Sequence, residues 1–196
     1  VDVFYNIKRG SALGGKYGMK LHIGGSMFYS TPEALSNYSY HRLAYRDFTL
    51  DVEKKWNRKF KTIFFVNIQE SSPTHGNRIA TNAQNVFVVD AQYKLTSSIS
   101  IRTELQYLYS EELNKDWMAA LLELNMAPNW SFFVSDMYNH GDTKVHYYSG
   151  GVSFSNSLMR VAGSYGRNRE GMVCSGGVCR WQPAYTGGNL QVSLYF

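Results

Sequence analysis

Two cysteines near the end of the chain are the side chains best placed to react with each other. Cys174 and Cys179 flank the segment Ser-Gly-Gly-Val and are the only cysteines of the 196 residues. Adjacent glycines let a backbone turn sharply, which can bring the two Cα atoms within the roughly 4.4–6.8 Å that a disulfide requires. We therefore expect a disulfide that closes a tight loop in an oxidising compartment, with two free thiols as the alternative.

Acidic residues and histidines cluster at a second place. His140, Asp142 and His146 bracket one short connection, with Asp136 slightly upstream. Such groups could converge on a metal or on an acid–base site. The alternative is that they serve the turn, since Gly141-Asp142 is ordinary turn chemistry. No nucleophile is spaced with a base, so we expect no catalytic residue, metal or cofactor.

The composition limits the classes of protein to consider. Aromatic residues make up 15% of the chain, a bias typical of strands and membrane interfaces. No apolar run approaches the roughly 18 residues of a membrane-spanning helix. Lys and Arg number 20 against 15 acidic residues, but they form no run that would follow a nucleic-acid backbone. We expect no nucleic-acid partner, and anionic lipid is the better candidate.

The elements that carry these residues are predicted to be strands, because a two-residue period recurs along the whole chain. In one segment the apolar residues Ile99, Ile101 and Leu105 alternate with polar neighbours such as Arg102 and Glu104. Similar patterns predict about 11 strands in one all-β domain of residues 1–196, near 1–9, 16–29, 45–56, 60–71, 84–95, 98–110, 116–127, 130–139, 144–154, 158–168 and 185–196.

Alternation alone fits a soluble β-sandwich or lipocalin-like barrel as well as a membrane barrel. Four features favour the membrane barrel: short turns alternate with longer connections, aromatic residues gather at strand ends, one face carries charges of both signs, and the last strand, Leu190 to Phe196, ends on a Phe. The sequence therefore predicts an antiparallel transmembrane β-barrel. Its apolar face, with Phe87, Val89, Leu105, Leu190, Val192 and Leu194, should contact lipid.

The charged face of this barrel is expected to line its interior. Asp90, Lys94, Arg102 and Glu104 occur at alternate positions of two successive strands. Opposite charges that face each other across a lumen can pair. We expect these four residues to form a network inside the barrel.

Two segments resemble a known family. Gly166-Arg167-Asn168-Arg169-Glu170-Gly171, followed by Cys174 to Arg180 and Pro183, resembles the C-terminal end of a family of uncharacterised outer-membrane barrels found in Bacteroidota. Trp130 to Asp136 is similar to that family's penultimate region. The resemblance covers about the last third of the chain, and it implies a fold and an outer-membrane location without an activity or a catalytic motif.

An outer-membrane location gives the arginines a possible partner. Arg167, Arg169 and Arg180 should lie at the outer rim, as should Arg42, Arg46 and Arg78. Guanidinium groups bind phosphate in a bidentate manner, so we expect the first three to contact the phosphates of lipid A in lipopolysaccharide. The alternative is that they are solvated loop cations.

An odd strand number is unusual for such a barrel. If the last strand ends in the periplasm, about 11 strands place Val1 outside, whereas a complete single-chain barrel begins in the periplasm. Either a first strand is not visible in the pattern or, as we expect, residues 1–196 are the C-terminal part of a larger barrel.

Three functions remain open for such a protein. The favoured one is a noncatalytic structural or accessory subunit of an outer-membrane protein complex, for which the aromatic segment with Tyr38, Tyr40, His41 and Tyr45 could supply a partner surface. The second is a transport protein or pore for a small polar solute, and the third is an enzyme with its site at the rim. An open lumen would favour transport, and a nucleophile within reach of a base would favour the enzyme.

Overall fold

The computed structural model describes residues 1–30, 42–71, 82–111, 115–175 and 178–195, most of which are β-strand. The strands are β1 (Asp2–Ile7), β2 (Met19–Ser30), β3 (Arg42–Lys55), β4 (Phe60–Ser71), β5 (Asn82–Lys94), β6 (Ile99–Ser110), β7 (Trp117–Met126), β8 (Trp130–Asn139), β9 (His146–Ser155), β10 (Met159–Asn168), β11 (Gly171–Ser175), β12 (Val178–Gln182) and β13 (Tyr185–Leu194). These ranges include no helix that is long and apolar enough to cross a membrane.

Eleven of the strands form one antiparallel sheet in which every strand pairs with its neighbours along the chain. The order is β1 to β10 followed by β13. The prediction of an all-β antiparallel fold with about eleven strands is therefore confirmed. Within the described residues β1 and β13 each pair on one side only, so the sheet is open.

The segment between β10 and β13 differs from the prediction. We expected one long loop, but β11 and β12 form a separate two-stranded hairpin. Each of its strands has only five residues. A run that short contains too few alternations for a two-residue period to be visible, which explains why the sequence pattern missed it.

The connections divide between two ends of the sheet. At one, called the turn end, segments 56–59, 95–98, 127–129 and 156–158 join successive strands. At the other, called the loop end, the connections are longer and include 31–41, 72–81 and 169–184. The exception is 8–18 at the turn end, where Gly10, Gly15 and Gly18 adopt positive φ and the Gly10 amide donates to the Gly15 carbonyl at 2.7 Å.

The register assigns residue types to opposite faces of the sheet. Val89 pairs with Phe64 on β4 and Leu105 on β6, whereas Asp90 pairs with Ile63 and Glu104. Repeated across the sheet, this pairing places the apolar residues predicted to share a face on one side and Asp90, Lys94, Arg102 and Glu104 on the other. The predicted sidedness of the strands is confirmed.

Burial in this sheet is the reverse of that in a soluble protein. On the apolar face Leu105 is 60% exposed and Leu190 is 73% exposed, whereas Asp90 on the polar face is only 6% exposed. Among the described residues Trp117 is the one buried hydrophobic side chain. The described chain therefore has no apolar core between two packed layers.

The sheet curves toward its polar face. One cavity on this face is lined by residues that extend from Glu53 on β3 to Glu123 on β7, and another extends from Glu123 to Gln191 on β13. In a flat sheet, strands four places apart lie about 19 Å from each other, too far to enclose one cavity. The polar face is therefore concave and the apolar face convex.

Aromatic side chains gather at both ends of the sheet, but not all of them on the convex face. At the turn end Trp130 packs edge-on against Phe154, with ring centroids 5.0 Å apart. At the loop end Trp117 and Tyr147, whose centroids are 5.9 Å apart, lie on the concave face. The aromatic residues at strand ends therefore do not all belong to one lipid-facing belt.

Candidate functional site

The concave face carries an ion-pair network centred on Arg102. Arg102 lies on β6, and its Nε donates to Asp90 Oδ2 on β5 at 2.5 Å. Its Nη2 donates to Glu104, which also lies on β6. Glu123 of β7 lies 3.9 Å from Nη1. One guanidinium group thus joins three strands, and it leaves the cluster formally negative because three carboxylates share one cation.

The structure brings together three of the four residues predicted for this network. Lys94 lies on the same face and lines the same cavity as Arg102, but it is exposed, and its Cα partner is Ser100. Glu123, which the sequence pattern assigns to the same polar face, joins the network although it was not among the four predicted members. The signal for it was the β6–β7 register, which places Glu123 directly opposite Arg102.

The concave wall beyond β7 consists mostly of small residues. Ser149, Gly151 and Ser153 of β9 lie opposite Gly166, Ser164 and Ala162 of β10. The Phe133 ring covers Gly151, where an added Cβ would lie 2.6 Å from a ring carbon. The cavity on this side has a volume of about 660 Å³, compared with about 460 Å³ for the cavity that Arg102 lines.

Two predicted rim arginines pack over aromatic rings at the loop end. The Arg169 guanidinium lies 4.8 Å from the Trp117 ring centroid, and that of Arg167 lies 5.6 Å from the Tyr147 ring centroid. Both arginines line a cavity on the concave side together with Glu104. These cation–π contacts hold the guanidinium groups near the concave face, and their contact with lipid phosphate stays a prediction.

Of the other arginines predicted to lie at the rim, one forms an ion pair and the side chains of the rest lie outside the described part of the chain. Arg46 pairs with Glu70, to which its Nε donates at 2.7 Å. Arg180 belongs to β12 and Arg42 begins β3, but both side chains lie outside the described part of the chain. Arg78 and the aromatic segment Tyr38, Tyr40 and His41 lie outside the described residues altogether.

The acidic and histidine residues form two separate pairs and not one site. His146 Nδ1 lies 2.6 Å from Asp136 Oδ2, and the His146 ring stacks on Tyr138 with centroids 4.2 Å apart. The His140 Nε2 instead lies 3.8 Å from Asp116 Oδ2. Asp116 was not among the candidate residues predicted from the sequence. Over the described ranges, no three His, Cys, Asp or Glu side chains are arranged to hold a metal.

Asn139 organises the connection between these pairs. It is fully buried, and its Oδ1 accepts hydrogen bonds from the backbone amides of Asp142 at 2.9 Å and Thr143 at 2.8 Å. Asp142 thus belongs to a turn held by Asn139, which favours the turn interpretation of this segment over a catalytic or metal site.

The two cysteines lie opposite each other in the small hairpin. Cys174 of β11 and Cys179 of β12 are Cα partners in the register. Cα atoms of directly opposed residues in an antiparallel pair are about 4.5–5.5 Å apart, within the range of disulfides. The cysteine side chains lie outside the described part of the chain, so the bond stays a prediction.

A known protein family matches the chain over its full length. The model of a protein family described as a family of unknown function (DUF6029) matches residues 1–196. No curated protein matches the chain.

Proposed function

We propose that this chain, which belongs to the DUF6029 family of unknown function, is part of a β-barrel in a bacterial outer membrane and acts there as a noncatalytic structural or accessory subunit of a protein complex. The observation that carries the proposal is the reversed burial of the sheet. Its large apolar side chains are exposed on the convex face, and its charged network lies on the concave one.

Lipid is the solvent that suits the convex face. Eleven strands make this face about 50 Å wide, far more apolar surface than the few hundred Å² that soluble monomers usually expose in one patch. On β7 the outward residues from Met118 to Met126 cover about 27 Å along the strand. At the roughly 40° tilt of barrel strands this corresponds to about 21 Å along the membrane normal, near the roughly 25 Å apolar band of outer-membrane barrels. A hydrocarbon environment removes the cost of exposing this surface to water.

Closure into a barrel would pair the backbone groups at the two open edges of the sheet. Unpaired amide and carbonyl groups cost several kcal/mol each in hydrocarbon, so an open edge cannot be stable there. The unpaired sides of β1 and β13 must therefore be paired in the membrane, and antiparallel pairing calls for strands beyond these eleven. This requirement supports a role as one part of a larger assembly.

The outer membrane of Bacteroidota is the location that we propose, on the strength of the sequence resemblance of the C-terminal third. The short connections would then lie in the periplasm, and the hairpin of β11 and β12 would lie outside the cell. Lipopolysaccharide and other outer-membrane proteins would be the partners at that rim.

Cysteine scanning of neighbouring positions tests the membrane placement. In a C174S/C179S background, Val89→Cys, Leu105→Cys and Val192→Cys should react with a lipid-soluble maleimide, because these side chains lie on the convex face. The matched neighbours Val88→Cys, Gln106→Cys and Gln191→Cys lie on the concave face and should react poorly. Preferential labelling of the second set would refute the placement.

Transport of a small polar solute is the second candidate, favoured by the small-residue wall along β9 and β10. A wide, polar concave face could leave a water-filled passage in the closed barrel. Steady single-channel currents from the native assembly in planar bilayers would support this function over a structural one.

A further inference from the structure

Six basic residues line one cavity on the concave face, and five of them, all except Arg102, lie at the turn end. Lys55, Lys61 and Lys94 come from the ends of β3, β4 and β5, while Arg58 and Lys59 lie in the turn between β3 and β4. All five line the same cavity, whose volume is about 460 Å³. We call this group the turn-end basic cluster.

Two carboxylates also line the cavity. Glu53 pairs with Lys20 at 3.3 Å, and Glu123 belongs to the network of Arg102. Within the described ranges, no carboxylate lies at ion-pair distance from any member of the turn-end basic cluster. Lys55 has one ring contact, 6.0 Å from the centroid of Tyr17, which leaves its charge uncompensated.

The register brings these like charges close together. Lys55 and Lys61 are directly opposed on β3 and β4. Lys61 faces Gln92 on β5, so Lys94 is its diagonal neighbour. Directly opposed like charges destabilise a sheet, because their Cβ atoms are only about 4.5–5.5 Å apart. An anion bound between them would remove this repulsion.

The backbone holds the cluster in place. The Asn57 side chain accepts hydrogen bonds from the amides of Lys59 at 2.7 Å and Phe60 at 2.8 Å, which fixes the turn. The Lys94 amide donates to the Lys59 carbonyl at 2.8 Å and ties this turn to β5. The charges are therefore presented by a preorganised scaffold, which lowers the entropic cost of binding.

We propose that the turn-end basic cluster binds a soluble anion that carries two or more phosphate groups. Lysine acts as a point charge for phosphate, and several lysines on adjacent strands match an anion with several charged groups. The cavity opens on the polar concave face and not on the apolar one, which favours a dissolved anion over a lipid headgroup. The site goes beyond the proposed structural role and does not depend on it.

Calorimetric titration of the full chain in a non-ionic detergent with inorganic tripolyphosphate tests the proposal. We expect saturable binding that weakens as salt is added, and K61Q/K94Q should bind at least about tenfold more weakly. The control K8Q/K16Q also removes two lysines at the turn end, but outside the cavity, and should stay within about twofold of the native chain. K61R/K94R keeps both charges and should retain binding, while circular dichroism checks that each variant is folded.

Several results would overturn the proposal. Equal losses in K61Q/K94Q and K8Q/K16Q would show attraction by net charge alone, and no binding of tripolyphosphate would rule out the site. Inorganic monophosphate that binds as tightly as tripolyphosphate would contradict the multivalent ligand. Binding to vesicles that contain phosphatidylglycerol, without binding to tripolyphosphate, would assign the cluster to a lipid headgroup.

Discussion

Three carboxylates on the concave face share Arg102 as their cation, so its loss should be costly. In Arg102→Gln the 6%-exposed Asp90 would lose its charged donor, and Glu104 and Glu123 would repel it without a cation between them. Because Arg102 itself is 34% exposed, water offsets part of the loss. We expect the free energy of unfolding to fall by about 2–3 kcal/mol, measured by urea titration in lipid vesicles.

A matched variant tests whether the network and not the loss of a charge is responsible. Arg160→Gln removes an exposed cation from the same face, and it should change the unfolding free energy by less than about 0.5 kcal/mol. Equal effects of the two substitutions would contradict the special role of Arg102.

At this scale the sequence predicts contacts along a strand better than contacts between strands. Arg102 and Glu104 are two residues apart, so alternation alone places them on one face. The contact of Glu123 with Arg102 depends on which residues of β6 and β7 lie opposite each other. The turn-end basic cluster depends in the same way on the pairing of β3 with β4. Register of this kind follows from the pairing of whole strands, and a single strand's pattern does not contain it.

At the scale of elements, the hairpin of β11 and β12 is predicted to carry a disulfide. Its register places Cys174 and Cys179 opposite each other. Mass spectrometry of unreduced peptides from Gly171 to Pro183 should find them joined. Because the ring is short, reduction should lower the unfolding free energy only modestly, by about 2 kcal/mol in the chain-entropy model.

A double variant provides the control for this hairpin. C174S/C179S should keep the main sheet, because β11 and β12 do not pair with it. Complete alkylation of both cysteines in the native chain without reductant would show free thiols and withdraw the prediction.

Long strands were predicted well because each of them repeats its alternation many times. In β6, apolar Ile99, Ile101 and Leu105 alternate with polar neighbours, and its predicted limits, 98–110, differ from the observed ones by one residue at the start. The five residues of β11 or β12 give no comparable signal. The sequence also did not show that the sheet is open, because residues alternate in the same way in an open and in a closed sheet.

At the scale of the whole molecule, the direction of the two edge strands limits how the sheet can close. Successive strands alternate in direction, so the first and last of eleven run the same way. Direct pairing of β1 with β13 would be parallel, and so would pairing with a second copy in the same membrane orientation. Antiparallel closure needs an odd number of added strands, which gives the even total usual in bacterial outer-membrane barrels.

Cross-linking in native membranes tests this closure. In a C174S/C179S background, Val3→Cys combined with Cys at Leu190, Val192 or Leu194 should not form a disulfide, because the added strands separate β1 from β13. The positive control joins Val3→Cys to Ile23→Cys, which are Cα partners on β1 and β2 and should cross-link under the same oxidant. A cross-link between β1 and β13 as efficient as the control would show that the eleven strands close on themselves through a parallel pair. The added strands, and the assembly proposed from them, would then be unnecessary.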